Sequence, residues 1–170
     1  CDSPSGRPMD LCMECESDLP WLINGCNVCA LPLPTGAGSI CGPCLTRPPS
    51  FSRTNAIFEY VWPVDQMIKR FKNHGNLAMG RVLSELLVTK LPGYPGTQRP
   101  DTLIPVPLHA RKARKRGFNQ SMEITSRLSK AWEIPIDRHC RRVHNTEEQK
   151  QLDINERFKN MRGGFSSNTL

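Results

Sequence analysis

Apolar residues recur at intervals of three and four in three segments, which predicts three amphipathic helices. The first helix is predicted over residues 64–74, with Asp65 as its cap and Gly75 as its end. The second is predicted over residues 77–91, and the third runs from about Asn119 to Trp132. Their apolar stripes consist of Val64, Met67, Ile68 and Phe71 in the first helix, Leu83, Leu86, Leu87 and Leu91 in the second, and Met122, Leu128 and Trp132 with Thr125 and Ser129 in the third.

Other apolar runs have the pattern of strands. Residues 56–62 alternate, with Phe58, Tyr60 and Trp62 on one side, and Pro63 ends the run. Residues 103–106 form a short continuous apolar run that reads as a buried strand. A further strand begins at Ile134 and Ile136, after the third helix, so a β-α-β unit with parallel strands is expected. The pattern therefore favours an α/β fold.

Length and composition limit the architecture and the partners. The 170 residues suffice for one ordinary domain and a small one, and the apolar content of 38% predicts a modest core. The net charge of +7 favours a polyanionic partner, either a nucleic acid or a phosphorylated small molecule. Since no signal peptide and no run of about eighteen apolar residues is found, we expect a cytoplasmic protein without membrane insertion. The aromatic content of 6% argues against a stacking platform for single strands.

Seven of the eight cysteines lie in the first 44 residues, and six of them form three Cys-x-x-Cys pairs. A secreted disulfide module would explain a high cysteine count, but two-residue spacing suits a metal better than a crosslink. Two such pairs can supply four thiolates to one tetrahedral zinc ion. The metal-ligand candidates are Cys1, Cys12, Cys15, Cys26, Cys29, Cys41 and Cys44.

Two groupings of these pairs are possible. In the preferred one, the last two pairs bind one zinc, and the pair Cys12/Cys15 binds a second zinc with Cys1 and a ligand that would precede residue 1. The alternative joins the first two pairs and leaves Cys41/Cys44 alone. We therefore expect residues 1–46 to hold tandem four-cysteine zinc ribbons, the first of them cut at its N-terminus.

The strand predicted at residues 103–106 leads into the most basic part of the chain. Five cations fall within six residues, 111–116, before Gly117, and Phe118-Asn119-Gln120 opens the third helix. A basic loop next to a helix start can hold phosphate, because it offers positive charge, close backbone approach and free N–H groups. A solvated basic loop is the plain alternative. A second basic face, Lys69, Arg70 and Lys72, could contact nucleic acid or simply be solvated.

The segment Pro-Val-Pro-Leu-His is followed by Arg-Gly-Phe-Asn-Gln, and both come after a cysteine-rich start. In these features the chain resembles the ComF family over nearly its whole length. These phosphoribosyltransferase-like proteins are linked to natural DNA uptake. The resemblance implies a type I phosphoribosyltransferase-like parallel sheet in residues 47–170, following the zinc ribbons. It also implies binding of phosphoribosyl pyrophosphate with magnesium. The phosphate-binding candidates in the basic segment are His109, Arg111, Lys112, Arg114, Arg116, Gly117, Asn119 and Gln120.

The same resemblance extends to the end of the chain. The family shows Arg-Arg, Thr-x-x-Gln and Arg/Asn/Gly/Phe segments, and this chain has them at similar spacing. The resemblance makes Arg142, Gln149, Arg157 and Asn160 candidates for a loop that closes over the ligand. A solvent-exposed basic helix over 147–161 is the alternative for most of them. The acidic, Gly-containing loop that such enzymes use for ribose 5-phosphate is not found in residues 1–170, so we expect further residues beyond 170.

Two functions follow from the resemblance. One is a competence protein whose partners are phosphoribosyl pyrophosphate, a competence helicase or DNA-processing protein, and single-stranded DNA as a further candidate. The other is an active phosphoribosyltransferase, a transferase acting on an unknown nucleobase-like acceptor. Because fold does not fix function, the sequence leaves both open.

Overall fold

The computed structural model describes residues 4–91, 99–144, 156 and 161–167. This part of the chain is a mixture of helices with a small sheet. In chain order its elements are α1 (Met13–Ser17), α2 (Gly42–Thr46), α3 (Val64–His74), α4 (Leu77–Lys90), α5 (Ala110–Arg116), α6 (Gln120–Trp132), β1 (Cys140–Arg142) and β2 (Phe165–Ser167).

The predicted helices over 64–74, 77–91 and 119–132 are present as α3, α4 and α6. Gly75 ends α3 in the left-handed conformation, with φ of 64°. Asn119 caps α6 by accepting a hydrogen bond from the Ser121 N–H. Asp65 does not cap α3; it lies in the first turn and binds Lys69 at 2.6 Å.

The core forms where α3 and α4 meet two earlier segments. Leu86, Val82 and Val64 are buried in one cluster with Ile57 and Leu19. Trp21 packs on Phe58 with ring centroids 4.7 Å apart, and the two residues form an antiparallel bridge. Apolar residues that precede the four-cysteine segment therefore contribute to the same core as the helices.

The expected strands are reduced to single bridges in the described residues. Residues 56–62 pair only through Phe58, and the run 103–106 pairs only through Leu103, which forms a parallel bridge with Ile136. The Leu103 N–H donates to Pro135 O at 2.8 Å, and the Asp137 N–H donates to Leu103 O at 2.9 Å. The parallel direction agrees with a β-α-β unit, but a parallel sheet of the phosphoribosyltransferase type is not among the described elements. That fold remains a prediction.

The two-stranded sheet that is present lies near the end of the chain. Strands β1 and β2 pair antiparallel, with Cys140 opposite Ser167 and Arg142 opposite Phe165. Helix α6 packs against α4. None of the helices in the described ranges is both long enough and apolar enough to cross a bilayer.

Candidate metal centre and phosphate site

Cys26 and Cys29 lie on a tight turn within residues 24–33. The Cys26 N–H donates to Leu31 O at 2.9 Å, and the Ala30 N–H donates back to Cys26 O at 2.8 Å. The turn closes through Ala30, which has a positive φ of 58° that non-glycine residues rarely adopt. These bonds hold the two cysteines of the pair in a knuckle.

Cys41 and Cys44 form a second knuckle at the start of α2. Cys41 is the N-cap residue of this helix, and the Cys44 N–H donates to Cys41 O at 3.1 Å. The Cys41 N–H also donates to Cys26 Sγ at 3.3 Å, so the second knuckle binds the first directly. An N–H bond to sulfur favours the thiolate that a metal requires.

The four sulfur atoms of these knuckles converge. All four Sγ atoms lie within 4.8 Å of one another, and Cys29 and Cys41 are 3.7 Å apart. Sulfurs in a tetrahedral zinc site would be separated by about 3.8 Å, given a Zn–S bond of about 2.3 Å. The observed spacing therefore fits zinc, and the grouping that joins Cys26 and Cys29 to the first pair is wrong.

Local electrostatics support a cation at this cluster. Backbone N–H groups of Cys29 and Cys41 lower the pKa of Cys26 to about 6. Burial, followed by hydrogen bonding to the neighbouring cysteines, raises the pKa of Cys44 to about 12. Four thiolates at this separation repel one another, so a bound cation is needed to stabilise all of them together.

The first knuckle, Cys12 and Cys15, repeats the local geometry of the Cys41 knuckle. Cys12 is the N-cap of α1 with φ −71° and ψ 162°, and Cys41 is the N-cap of α2 with φ −72° and ψ 155°. The Cys15 N–H donates to Cys12 Sγ at 3.5 Å. Cys1, the predicted third ligand, lies outside the described residues. A second zinc site therefore remains a prediction.

The basic segment that was expected to be a loop is the helix α5, and this expectation was wrong. His109 caps it, with Nδ1 accepting a hydrogen bond from the Arg111 N–H at 3.3 Å. Gly117 ends it in the left-handed conformation, with φ of 79°. Of the five cations, Lys112 and Arg116 are half-buried, and Arg111, Arg114 and Lys115 are exposed.

The residues after α5 have structural partners of their own. The Arg116 Nη1 donates to Gln120 Oε1 at 2.7 Å, which links the end of α5 to the start of α6. Asn119 caps α6 and donates through Nδ2 to Val106 O at 3.2 Å. Asn119 therefore links the start of α6 to the end of the run 103–106. Phosphate binding by the residues from His109 to Gln120 stays a prediction.

The remaining phosphate-binding candidates lie elsewhere in the chain. Arg142 is in β1, where its guanidinium lies 5.6 Å from the Phe165 ring centroid and donates to Met161 Sδ at 3.8 Å. Gln149, Arg157 and Asn160 lie outside the described residues. Their assignment to a closing loop stays a prediction.

Sequence reasoning did not connect α3 with the basic segment. Lys72 and Asn73, in the last turn of α3, line one cavity together with Lys112, Lys115 and Arg116 of α5. The helices meet there because Phe71 packs on Phe118, with ring centroids 5.5 Å apart. Nothing in the spacing of the sequence relates these two rings, which lie in separate helical segments.

The comparison with known proteins decides the family. The chain is 30% identical over 172 residues to Competence protein F of Haemophilus influenzae, and the match covers 91% of this chain and 75% of that protein. This chain belongs to the ComF family. The ComF resemblance of its Pro-Val-Pro-Leu-His and Arg-Gly-Phe-Asn-Gln segments is thereby confirmed.

Further ComF relatives carry a different name. DNA utilization protein YhgH of Escherichia coli O6:H1 is 32% identical over 150 residues, covering 82% of this chain and 63% of that protein. The YhgH protein of Salmonella typhimurium is 27% identical over 162 residues, covering 91% and 70%. No family model matches the chain. No solved structure matches it either.

Proposed function

We propose that this ComF chain acts in the uptake or utilisation of DNA as a zinc-containing module that binds phosphorylated ligands. The observation that carries the proposal is its 30% identity to Competence protein F over 91% of the chain. The similarity to proteins named for DNA utilisation supports the same role. The division into zinc ribbons over 1–46 and a phosphoribosyltransferase-like domain over 47–170 is part of the proposal.

The small ligand is phosphoribosyl pyrophosphate, bound with magnesium. The cations of α5 support this assignment, because neutralising a pyrophosphate requires several positive groups at short range. Arg116 is the central residue, since its bond to Gln120 holds the guanidinium between α5 and the start of α6. Lys112 is half-buried on the same helix and supplies a second cation.

The zinc ribbons dock a protein partner, a competence helicase or another DNA-processing protein. Several large apolar side chains on the cysteine-rich segment are exposed to solvent, and this exposure supports a docking role. Ile23 is 94% exposed, Leu45 65% and Leu31 50%. A metal-held segment with exposed apolar side chains is suited to protein contacts.

Isothermal titration of the full chain with phosphoribosyl pyrophosphate and magnesium tests the ligand. Replacing Arg116 by alanine should weaken binding about 10- to 100-fold, the usual effect of losing a hydrogen bond to a charged group. Arg127→Ala removes the same charge from an exposed position of α6 and should leave binding unchanged. Unchanged binding by Arg116→Ala would exclude the proposed site.

Transformation frequency of the host tests the role. Cys26→Ser and Cys29→Ser should each reduce transformation while DNA still enters the cell, because the ribbon would no longer dock its partner. Normal transformation in both variants would contradict the proposal.

The second candidate function is that of an active phosphoribosyltransferase. Such an enzyme would release pyrophosphate from phosphoribosyl pyrophosphate when a nucleobase is added. If no pyrophosphate is released with the nucleobases tested, only the binding role is kept.

A further inference from the structure

A cavity of about 370 Å³ lies between the turn that holds Cys26 and the end of α4. We call it the knuckle cleft. One wall is the Cys26 turn, a second is the segment 53–57, and a third consists of Lys90 and Leu91. Ligand sites in proteins commonly enclose about 300–1,000 Å³, so the cleft is large enough for a small ligand or the end of a peptide.

The floor of the knuckle cleft is apolar and is held by packing. Trp21 and Leu22 line it, and Trp21 packs on Phe58 with ring centroids 4.7 Å apart. The Leu22 N–H donates to Ile57 O at 3.0 Å. Gly25 lets Leu22 lie against the Cys26 turn, because a Cβ on Gly25 would be 2.9 Å from Leu22 Cδ2. The shape of the floor therefore follows from contacts within the core.

The rim of the knuckle cleft carries positive charge. Arg53 and Lys90 line the cleft, and none of the described residues that line it is acidic. Lys90 already has two partners, because its Nζ lies 3.5 Å from a Glu16 carboxylate oxygen and 4.7 Å from the Trp21 ring centroid. Arg53 is exposed and forms no ion pair with an acid in the described part of the chain. The cleft therefore offers one guanidinium to a ligand.

One guanidinium beside an apolar floor favours a carboxylate ligand with a hydrophobic group. A guanidinium binds a carboxylate through two parallel hydrogen bonds, and their charges cancel. A phosphate monoester carries about 1.5–2 negative charges at pH 7, which one guanidinium does not neutralise. The apolar floor requires a hydrophobic group next to the anion. The last residue of a polypeptide provides both groups when its side chain is apolar.

Two polar residues extend the rim beyond Arg53. Asn27 and Thr54 are exposed and line the same cleft. The Thr54 N–H donates to Val28 O at 2.7 Å, which ties the segment 53–57 to the Cys26 turn. A side-chain amide and a hydroxyl can each donate and accept hydrogen bonds, as peptide groups require. This rim therefore suits the peptide groups that precede a C-terminal residue.

We propose that the knuckle cleft binds the C-terminal residue of a protein partner. Arg53 holds the terminal carboxylate, and Trp21 and Leu22 contact the apolar side chain. Capture of a terminal carboxylate is one of the recurring modes of peptide recognition. The inference rests on the proposed docking role of the zinc ribbons and names the part of the partner that is held. None of the residues of the proposed pyrophosphate site lines this cleft.

Nuclear magnetic resonance titration of the zinc-loaded full chain with N-acetyl-leucine and N-acetyl-leucinamide tests the carboxylate. The acid should bind with a Kd on the order of 1 mM, as expected for so small a ligand, and should shift the amide resonances of Asn27, Ala30 and Ala56. The amide lacks the negative charge and should bind about tenfold more weakly. Absence of binding by the acid, equal binding of the two, or shifts confined to residues outside the cleft would overturn the inference.

Substitution of Arg53 tests which residue holds the carboxylate. Arg53→Gln should weaken binding of the acid about tenfold, and Arg53→Lys should restore part of the affinity because the charge remains. Arg47→Gln removes the same charge from an exposed position outside the cleft and should change the affinity by less than about twofold. In Arg53→Gln the acid and the amide should bind alike. A preference for the acid that persists in this variant would place the carboxylate elsewhere and overturn the assignment.

A bulky side chain in the cleft tests the site without changing its charge. Ala56 is exposed and lines the cleft, so Ala56→Trp should block binding of the acid while the chain still folds. Ala37→Trp places the same ring at an exposed position outside the cleft and should bind as the unchanged chain does. Equal affinities of the two variants would overturn the location. Far-ultraviolet circular dichroism and zinc content verify that each variant is folded.

A hexapeptide that ends in valine and leucine with a free carboxylate separates a polypeptide end from a free acid. It should bind at least about tenfold more tightly than N-acetyl-leucine, because Asn27 and Thr54 can then bond its preceding peptide groups. Equal affinities of the two would identify a small carboxylic acid as the occupant and overturn the peptide assignment.

Two controls separate this inference from its alternatives. Cys26 also lines the cleft, so the hexapeptide is added to the chain loaded with cobalt in place of zinc. The absorption of the cobalt–thiolate cluster should stay unchanged, and a changed spectrum would place the carboxylate on the metal and overturn the role of Arg53. Normal transformation in Cys26→Ser and Cys29→Ser would refute the docking role, whereas the titrations decide the cleft in either case.

Discussion

The ring of Phe71 fills the space beside Gly80 in which another residue would place its Cβ. A Cβ built on Gly80 would lie 2.4 Å from Cε2 of Phe71, well inside van der Waals contact. The same ring also packs on Phe118, with ring centroids 5.5 Å apart. The glycine on α4 therefore allows α3 to approach α4 closely, and through the contact of Phe71 with Phe118 it affects where α5 lies relative to α3.

Gly80→Ala should destabilise the protein by up to about 2 kcal/mol. Alanine normally stabilises a helix by about 1 kcal/mol relative to glycine, but overpacking a core costs about 1–3 kcal/mol. Urea unfolding gives the difference. Repeating the substitution in a Phe71→Leu background isolates the ring, because the cost should then largely disappear. The same cost in both backgrounds would show that Phe71 is not the obstacle.

Cys26→Ser should remove one zinc ion per chain. Its sulfur is one of four within 4.8 Å, and three remaining thiolates do not complete a structural tetrahedral site. Native mass spectrometry counts the metal. Cys140→Ser provides a matched control, since Cys140 lies in β1 outside the cluster and should retain the full metal content. Equal metal loss in both variants would exclude the assigned ligand set.

Ala30→Gly should stabilise the protein by about 0.5–1 kcal/mol. The positive φ of 58° at Ala30 costs a residue with a side chain about 1–2 kcal/mol. Glycine avoids this cost, but it loses more backbone entropy on folding than alanine does, which offsets part of the stabilisation. Thermal unfolding of the metal-loaded chain measures the change. Ala37→Gly serves as the control, because Ala37 is not among the described non-glycine residues with positive φ, and it should be neutral or destabilising.

Glu16→Gln should lower stability at pH 7 by up to about 1 kcal/mol, and the difference from the unchanged chain should shrink as the pH falls below 4.5. The hydrogen bond from Arg7, and then the charges of Arg7 and Lys90, hold the pKa of Glu16 below its usual value of 4.5. A lowered pKa stabilises the folded state above the pKa of the unfolded chain, and this stabilisation is lost as the pH falls through the folded value.

Urea unfolding at several pH values between 7 and 3 provides this measurement. The variant and the unchanged chain are compared at each pH, so that loss of zinc in acid affects both equally. Asp101→Asn, at an exposed position, should show no such pH-dependent difference. A difference between Glu16→Gln and the unchanged chain that stays constant with pH would exclude the ion pairs as its source.

The helices that could be predicted from the sequence are those whose position follows from a pattern within one segment. The spacing of apolar residues in α3, α4 and α6 and the glycine after α3 are properties of single segments. The basic segment was misassigned because its charge was taken as a sign of a loop. Alanine, arginine and lysine are all strong helix formers, and His109 and Gly117 supply a start and an end to α5.

The candidate sites follow the same rule. The four-cysteine cluster was predictable because a Cys-x-x-Cys knuckle forms within four residues and needs only one other knuckle. The contribution of Lys72 and Asn73 to the cavity beside α5 was not predictable, because it depends on the packing of Phe71 against Phe118. The parallel bridge between Leu103 and Ile136 agrees with the predicted β-α-β unit, whereas the bridge between Trp21 and Phe58 was not predicted, because it joins two segments far apart in the sequence.

The parallel bridge between Leu103 and Ile136 has a consequence for biosynthesis. Its partners are 33 residues apart (136 − 103), whereas α3 and α4 are joined by only two residues, Gly75 and Asn76. Because short loops close at lower entropic cost, the α3–α4 hairpin should form first as the chain leaves the ribosome. The apolar run from Leu103 must then wait for Ile136 to be synthesised, and hydrogen exchange on stalled nascent chains of increasing length would reveal that order.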